Sequence, residues 1–159
     1  MRTRIYNGKE QIFCEWRHRW VRLTPEEWVR QQLLHRLVDQ LGYPASLIAV
    51  EVPFHLPSLQ GGEEGKLFRC DAVVYANLPS LQGGDGGRLF PLLIIECKAE
   101  TVPLTQKTLD QALNYNRRLN VPYLLLHNGP QSIFVTINSD GTNHNSQRIP
   151  GYTDLLRGE

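Results

Sequence analysis

No stretch of this 159-residue sequence approaches the ~18 consecutive apolar residues that a membrane span requires, and no secretory apolar core opens it. Cysteine is scarce. Cys14, Cys70 and Cys97 are odd in number and lack CxxC spacing, which argues against a disulfide framework or a redox motif. None of the five histidines falls at HxxxH or HExxH spacing, so a zinc site has little support. Charge of one sign is also lacking: Lys and Arg total 17 against 16 Asp and Glu, a net of +1, which excludes a broadly basic nucleic-acid coat. A reduced, cytoplasmic protein without membrane association is the economical reading. With 41% hydrophobic and 21% charged residues the chain is too apolar to be disordered, and its length suits one domain over 1–159.

What is present is unevenly placed. Residues 1–36 carry eight Lys/Arg against four Asp/Glu, so any nucleic-acid footprint is local. LPSLQGGEEGKLF at 56–68 returns almost unchanged as LPSLQGGDGGRLF at 78–90. Pro, Ser and paired glycines are loop chemistry, and two copies do not make a solenoid. They read as duplicated inserts at two hairpin tips, where added length costs little loop entropy. GGEEGK lacks the GxxxxGK[ST] spacing of a phosphate-binding loop and precedes a strand instead of a helix.

The segment LTPEEWVRQQLLHRLVDQLGYP predicts a helix. Thr24 suits its N-cap, Pro25 its first position, and Glu27 the reciprocal partner of a capping box. Trp28, Val29, Leu33, Leu37 and Leu41 form an apolar stripe, and Gly42 with Pro44 stops the helix. Ile48, Val50, Val52 and Phe54 alternate as one face of a strand, and 66–76 and 88–98 read as two more strands. Residues 103–120 predict a second helix with Leu109, Ala112, Leu113 and Leu119 inward. A final strand pair surrounds the turn dipeptide Asn128-Gly129. The tail, 138–159, is polar and expected to be irregular apart from a short turn at 152–156.

Charged residues at strand ends carry the chemistry. The run PLLIIECKAE ends in Glu96 and Lys98, which share a face at i and i+2. An isolated ExK is most often a strand end reaching water. Asp71, however, interrupts the preceding strand near its start, and the two strands form an antiparallel pair most simply. A register in which paired residue numbers sum to 167 sets Asp71 opposite Glu96, and Cys70 opposite Cys97 on the core face. Adjacent carboxylates repel unless a cation lies between them. An oxygen cluster with water access suits Mg²⁺ or Mn²⁺, with few protein ligands and several retained waters.

Asp, then Glu-x-Lys across a hairpin, after a helix carrying Glu, resembles the PD-(D/E)xK nuclease superfamily. More closely, the chain resembles the N-terminal nuclease domain of type I restriction enzyme R subunits, in a stand-alone form. TPEEWVRQ, YPASLIAVE, RCDAVVY, LLIIECKAE and LDQALNYNRRL carry the likeness over about residues 15–137, and Gln111-x-x-x-Tyr115 is similar to the QxxxY element of RecB-like members. The resemblance implies an α/β fold with a restriction-endonuclease-like αβββαββ core, a mixed central sheet flanked by helices. It implies that Asp71 and Glu96 hold the metal, with the Cys97 carbonyl as a further ligand. Lys98 would orient the attacking water, assist its deprotonation and offset charge on the phosphate. Glu27 is similar to the helix carboxylate of many members, with Glu26 as the fallback and a purely capping role as the alternative. Gln111, Tyr115 and Lys107 share a helix face that either lines the site or is simply solvated, and Glu51 is a weaker candidate. Two departures stand out: Cys70 occupies the Pro position of the motif's name, and an insert lengthens the Asp71–Glu96 separation.

In EWRHRWVR, Arg17, Arg19 and Arg22 stand among Trp16 and Trp20, which suits phosphate contact and base stacking, or else a packed strand with charged edges. The leading expectation is a divalent-metal-dependent DNA endonuclease of a restriction or defence system. The alternatives are a non-catalytic module of the same fold that binds DNA or a partner, and a nuclease acting on RNA or branched repair intermediates. No Walker sequence is present, so translocation or sequence specificity would come from a helicase/translocase or specificity subunit in another chain; a homodimer stays open.

Overall fold

The computed structural model describes residues 1–55, 67–79 and 87–158, so the bulk of both duplicated copies, 56–66 and 80–86, lies outside the described residues. Three strands come first, β1 (Thr3–Tyr6), β2 (Lys9–Cys14) and β3 (Arg19–Arg22), followed by helix α1 (Pro25–Leu41). Strands β4 (Ile48–His55), β5 (Leu67–Leu78) and β6 (Arg88–Cys97) lead to α2 (Gln106–Leu119). β7 (Tyr123–His127), β8 (Ser132–Ile137), β9 (Asn143–Ser146) and α3 (Tyr152–Arg157) complete the chain.

α1 begins and ends where the sequence predicts. The Thr24 hydroxyl accepts from the Glu27 amide at 3.0 Å, and Gly42 closes the helix at φ 73°, a backbone region that glycine enters without Cβ strain. Only half of the expected capping box forms, because the Glu27 carboxylate turns to Arg17 and Arg30 instead. Trp28 is exposed, and Leu34 fills the core in its place.

β1–β2–β3 form an antiparallel meander, and the remaining strands make a mixed sheet in the order β4-β5-β6-β7-β8-β9. Among the described residues only β6 and β7 run parallel, and α2 is the connection between them. Val29, Leu33 and Leu37 of α1, with Tyr152 and Leu155 of α3, pack on one face against Val74, Leu93, Ile95 and Leu125. Leu109 and Ala112 of α2 cover the other face, against Val73, Ile94, Leu124 and Leu126. The fold is therefore α/β, a mixed sheet between helices, of the restriction-endonuclease-like kind. Truncating a fully buried leucine such as Leu33 would cost about 2–5 kcal/mol, which shows how strongly α1 is held in place.

The tail corrects an expectation. It adds an edge strand and a helix, with Ile149, Tyr152 and Leu155 buried in the core. β9, Asn-His-Asn-Ser, is exposed throughout, so it carries no apolar alternation to reveal it.

The β5–β6 register has the predicted sum of 167 at Ala72↔Ile95, Val73↔Ile94 and Val74↔Leu93, before a bulge at Tyr75 shifts it. The paired positions end at Ala72↔Ile95, one step short of Asp71 and Glu96. The expected facing of Cys70 and Cys97 does not occur. Cys70 packs in the α2-side cluster and Cys97 in the α1-side cluster. The cause lies next door, where Glu51 adopts φ 55° within β4. Val50 packs on the α1 side but Val52 and Phe54 pack on the α2 side, so side-chain alternation inverts across Glu51. Cys70, paired with Val52, inverts with it.

Candidate active site

The inversion concentrates charge at one end of the β4–β5–β6 sheet. Asp71 Oδ2 accepts a 2.7 Å hydrogen bond from the Cys97 amide, which pins the carboxylate across the hairpin to the end of β6. Its Oδ1 lies 3.7 Å from Arg30 Nη2. Glu96 stands beside Asp71, and its buried Oε1 has no hydrogen-bond partner among the described residues. Burial, then the Asp71 charge, push the Glu96 carboxyl up to about 8; Lys98 opposes the shift, while a hydrogen bond with Asp71 and the Glu26 charge reinforce it.

Lys98 follows β6, with its amide bonded to the His127 carbonyl at 2.9 Å. Its side chain and Glu96 line a small cavity of about 70 Å³ together with Thr108, Gln111, Ala112, Tyr115 and Leu126. The fold thus brings Gln111 and Tyr115 to the same cavity as Glu96 and Lys98. Lys107 is exposed and does not line it. A larger cavity of about 630 Å³, between the end of α1 and the β7–β8 turn, has no carboxylate in its lining.

The two glutamates of α1 divide between two tasks. Glu27 is buried and held by Arg17, by Arg30 at 3.0 Å and by the Gln31 amide at 2.9 Å. Glu26 looks toward the strand ends: burial and then Asp71 raise its pKa, while Lys98 and Arg30 lower it. Glu51, reached through its left-handed backbone, contacts Arg17 at 3.3 Å and Arg30 at 3.6 Å. Such a backbone costs a β-region glutamate about 1–3 kcal/mol, and the two ion pairs help hold it.

Arg17 is therefore not on an open surface beside Arg19 and Arg22. Its side chain is only 12% exposed and is paired with Glu27 and Glu51. Arg30 was missed in the sequence reading. Its signal was there: Glu27, Arg30, Gln31 and Leu34 stand at i, i+3, i+4 and i+7, a charged patch on a buried helix face.

The donor set suits a hard divalent cation. Two carboxylates are adjacent, one with a buried unpartnered oxygen, and a third faces them from α1. Among the described residues no group of three or more His, Cys, Asp or Glu side chains encloses a metal on its own. Magnesium, which keeps several waters, needs no such enclosure.

Residues 25–150 match the family model described as type I restriction enzyme R protein N terminus. A fragment assigned to an HsdR subunit of a type I restriction enzyme from Vibrio vulnificus YJ016 superposes with a TM-score of 0.55 at 18% identity. The match covers 85% of this chain and 25% of that one, so the present sequence spans about a quarter of that fragment. Among curated proteins no match was found.

Proposed function

The chain belongs to the family of type I restriction enzyme R protein N termini, and from that membership and the site we propose a divalent-metal-dependent endonuclease that hydrolyses DNA phosphodiester bonds in a restriction system. The observation that carries the reading is Glu96, which stands beside Asp71 with a buried Oε1 unpartnered among the described residues and lines a cavity together with Lys98.

On this reading Asp71 and Glu96 would hold Mg²⁺ or Mn²⁺, with the Cys97 carbonyl and Glu26 as further oxygen donors. A bound divalent cation supplies Lewis acidity toward a phosphoryl oxygen and eases deprotonation of a bound water. Lys98 donates to the attacking water and to the phosphate oxygen on which charge builds. Gln111 and Tyr115 contact the substrate backbone from α2. Glu27, Arg17 and Arg30 keep α1 and β4 in place without touching substrate. ATP-driven translocation and target choice are assigned to other segments or partner subunits. Among the described residues no helix is long and apolar enough to cross a membrane.

Plasmid incubation with Mg²⁺ or Mn²⁺ tests the proposal, wild type beside Lys98→Ala. Metal-dependent nicking that falls about 10²–10³-fold in the variant is expected. Wild-type protein inert in both metals, or a variant as active as wild type, would overturn it.

A further inference from the structure

The β1–β2–β3 meander lies ahead of the residues covered by the family match, and its two faces differ sharply. One face is anchored to the body of the protein by Ile12 and Cys14, both fully buried. Register places Arg4, Tyr6, Lys9, Gln11, Phe13, Trp20 and Arg22 on the opposite face, through Arg4↔Gln11, Tyr6↔Lys9, Gln11↔Arg22 and Phe13↔Trp20. Arg2 joins them, since its carbonyl accepts from the Phe13 amide and its guanidinium lies 4.1 Å over the Phe13 ring. These eight residues include four cations, three aromatics and no acid. The cations and Tyr6 are exposed to solvent, and Gln11, Phe13 and Trp20 are half-buried.

The aromatics organise the cations. Arg4 sits 4.3 Å from the Trp20 ring centroid and 4.9 Å from that of Tyr6, and its Nε donates to Gln11 at 2.8 Å. Phe13 and Trp20 meet edge to face at 5.5 Å, which fixes the lattice beneath the two arginines. These cation–π contacts hold the guanidinium groups in place, which reduces the entropy lost when an anion orders them. Among the described residues no carboxylate pairs with Arg2, Arg4, Lys9 or Arg22.

We propose that this face is a nucleic-acid-binding platform, with Arg2, Arg4, Lys9 and Arg22 contacting backbone phosphates and Tyr6 and Trp20 offering ring surface to bases. An acidic polypeptide would match the cations but leave the rings unused. A polyanion carrying flat bases uses both. The assignment rests on the nuclease reading only for the expectation that the polymer is DNA. Of the three arginines singled out in the sequence, Arg22 alone lies on this face; Arg19 pairs with Cys14 on the other.

Binding is measured in EDTA, so that the outcome does not depend on cleavage. Fluorescence anisotropy of a labelled 20-mer duplex, and of one of its strands, is followed from low to moderate salt. Wild type is compared with Arg2→Gln/Arg4→Gln/Arg22→Gln and with Arg157→Gln on α3 as a remote control. Circular dichroism checks folding, and Arg22→Gln alone, free of ring contacts, carries the test if the triple variant melts early. The triple variant should bind about 10-fold or more weakly, and its slope of log affinity against log salt should fall by about 2–3. A larger loss on the single strand assigns the rings to base stacking, and an equal loss on both forms assigns phosphate contact as the main term. Unchanged affinity and slope in the substituted protein would overturn the proposal. So would displacement of the oligonucleotide by polyglutamate at equal charge concentration.

Discussion

Replacing Glu96 by Gln should stabilise the metal-free protein at alkaline pH while abolishing its proposed activity. In the folded chain Glu96 is half-buried beside Asp71 and Glu26, with its Oε1 shut off from water, and its carboxyl is pushed up to about 8 from an ordinary value of 4.5. A raised carboxylate pKa means that the native state holds its proton longer than the unfolded chain does. Stability is therefore complete below pH 4.5 and is lost progressively as pH rises from 4.5 to 8. At 1.36 kcal/mol per unit the ceiling of that loss at pH 8 is about 4 kcal/mol. Relaxation and water entry at a cavity mouth reduce the observable part to about 1–2 kcal/mol. For a chain of this size that corresponds to about 3–6 °C in Tm. Thermal melts of wild type and Glu96→Gln in EDTA, from pH 4.5 to 8.5, measure it directly. The curves should coincide at the acid end and diverge by that amount at the alkaline end, the variant being the more stable. Parallel profiles across the window would show that Glu96 is not the strained group, and the argument from its environment would fail. Added Mg²⁺ should close the gap by stabilising wild type alone.

Two further outcomes follow from the same geometry. Glu27→Gln leaves Arg17 and Arg30 buried with one fewer anion and should destabilise the fold by about 3–5 kcal/mol, whereas Glu26→Gln should melt like wild type yet cleave more slowly; denaturant titration beside a nicking assay separates them. Replacing 79–87 by Asn-Gly, between Leu78 and Arg88, which face each other across the β5–β6 hairpin, should shift Tm by no more than about 3 °C and leave nicking unchanged, because Asp71 and Glu96 lie at the opposite end; loss of folding would make the second copy structural.

The core was legible because its elements carry strong local signals. Thr24, Pro25 and Gly42 bracket α1, and Leu-Ile runs mark the buried strands β6 and β7. The β5–β6 register could be inferred because a one-residue slip would have sent a carboxylate into the core. What was hidden depended on backbone or on contacts distant in sequence. Nothing in IAVEVPF announces a left-handed residue at Glu51, since glutamate gives no cue for positive φ. Without that inversion the cysteine pairing looked sound. The reading of Arg17 as a phosphate contact went astray for a similar reason: its partners, Glu27 and Glu51, lie 10 and 34 positions away. Beyond the strand offered at EWRHRWVR, the meander escaped notice because its outward face is basic and aromatic, so its strands do not alternate apolar with polar.

Charge balance ties the hidden network to the visible motif. Arg17 and Arg30 are matched by Glu27 and Glu51, two cations against two anions, and this set holds α1 to β4 at no net charge. Counting Arg30 with that set although it also reaches Asp71 at 3.7 Å, what remains at the strand ends is Glu26, Asp71 and Glu96 against Lys98, three anions minus one cation, or −2 when all are ionised. A proton on Glu96 removes half of that excess, and a divalent cation would remove all of it. On the proposed reading proton and metal would compete for one carboxylate, and metal binding would be weak in acid and stronger as pH climbs toward 8. The rise in Tm that Mg²⁺ gives the wild-type protein should accordingly grow from pH 6 to pH 8 and stay small throughout in Glu96→Gln. A Mg²⁺ effect of equal size at both pH values would mean that the cation stabilises the chain somewhere other than this pair.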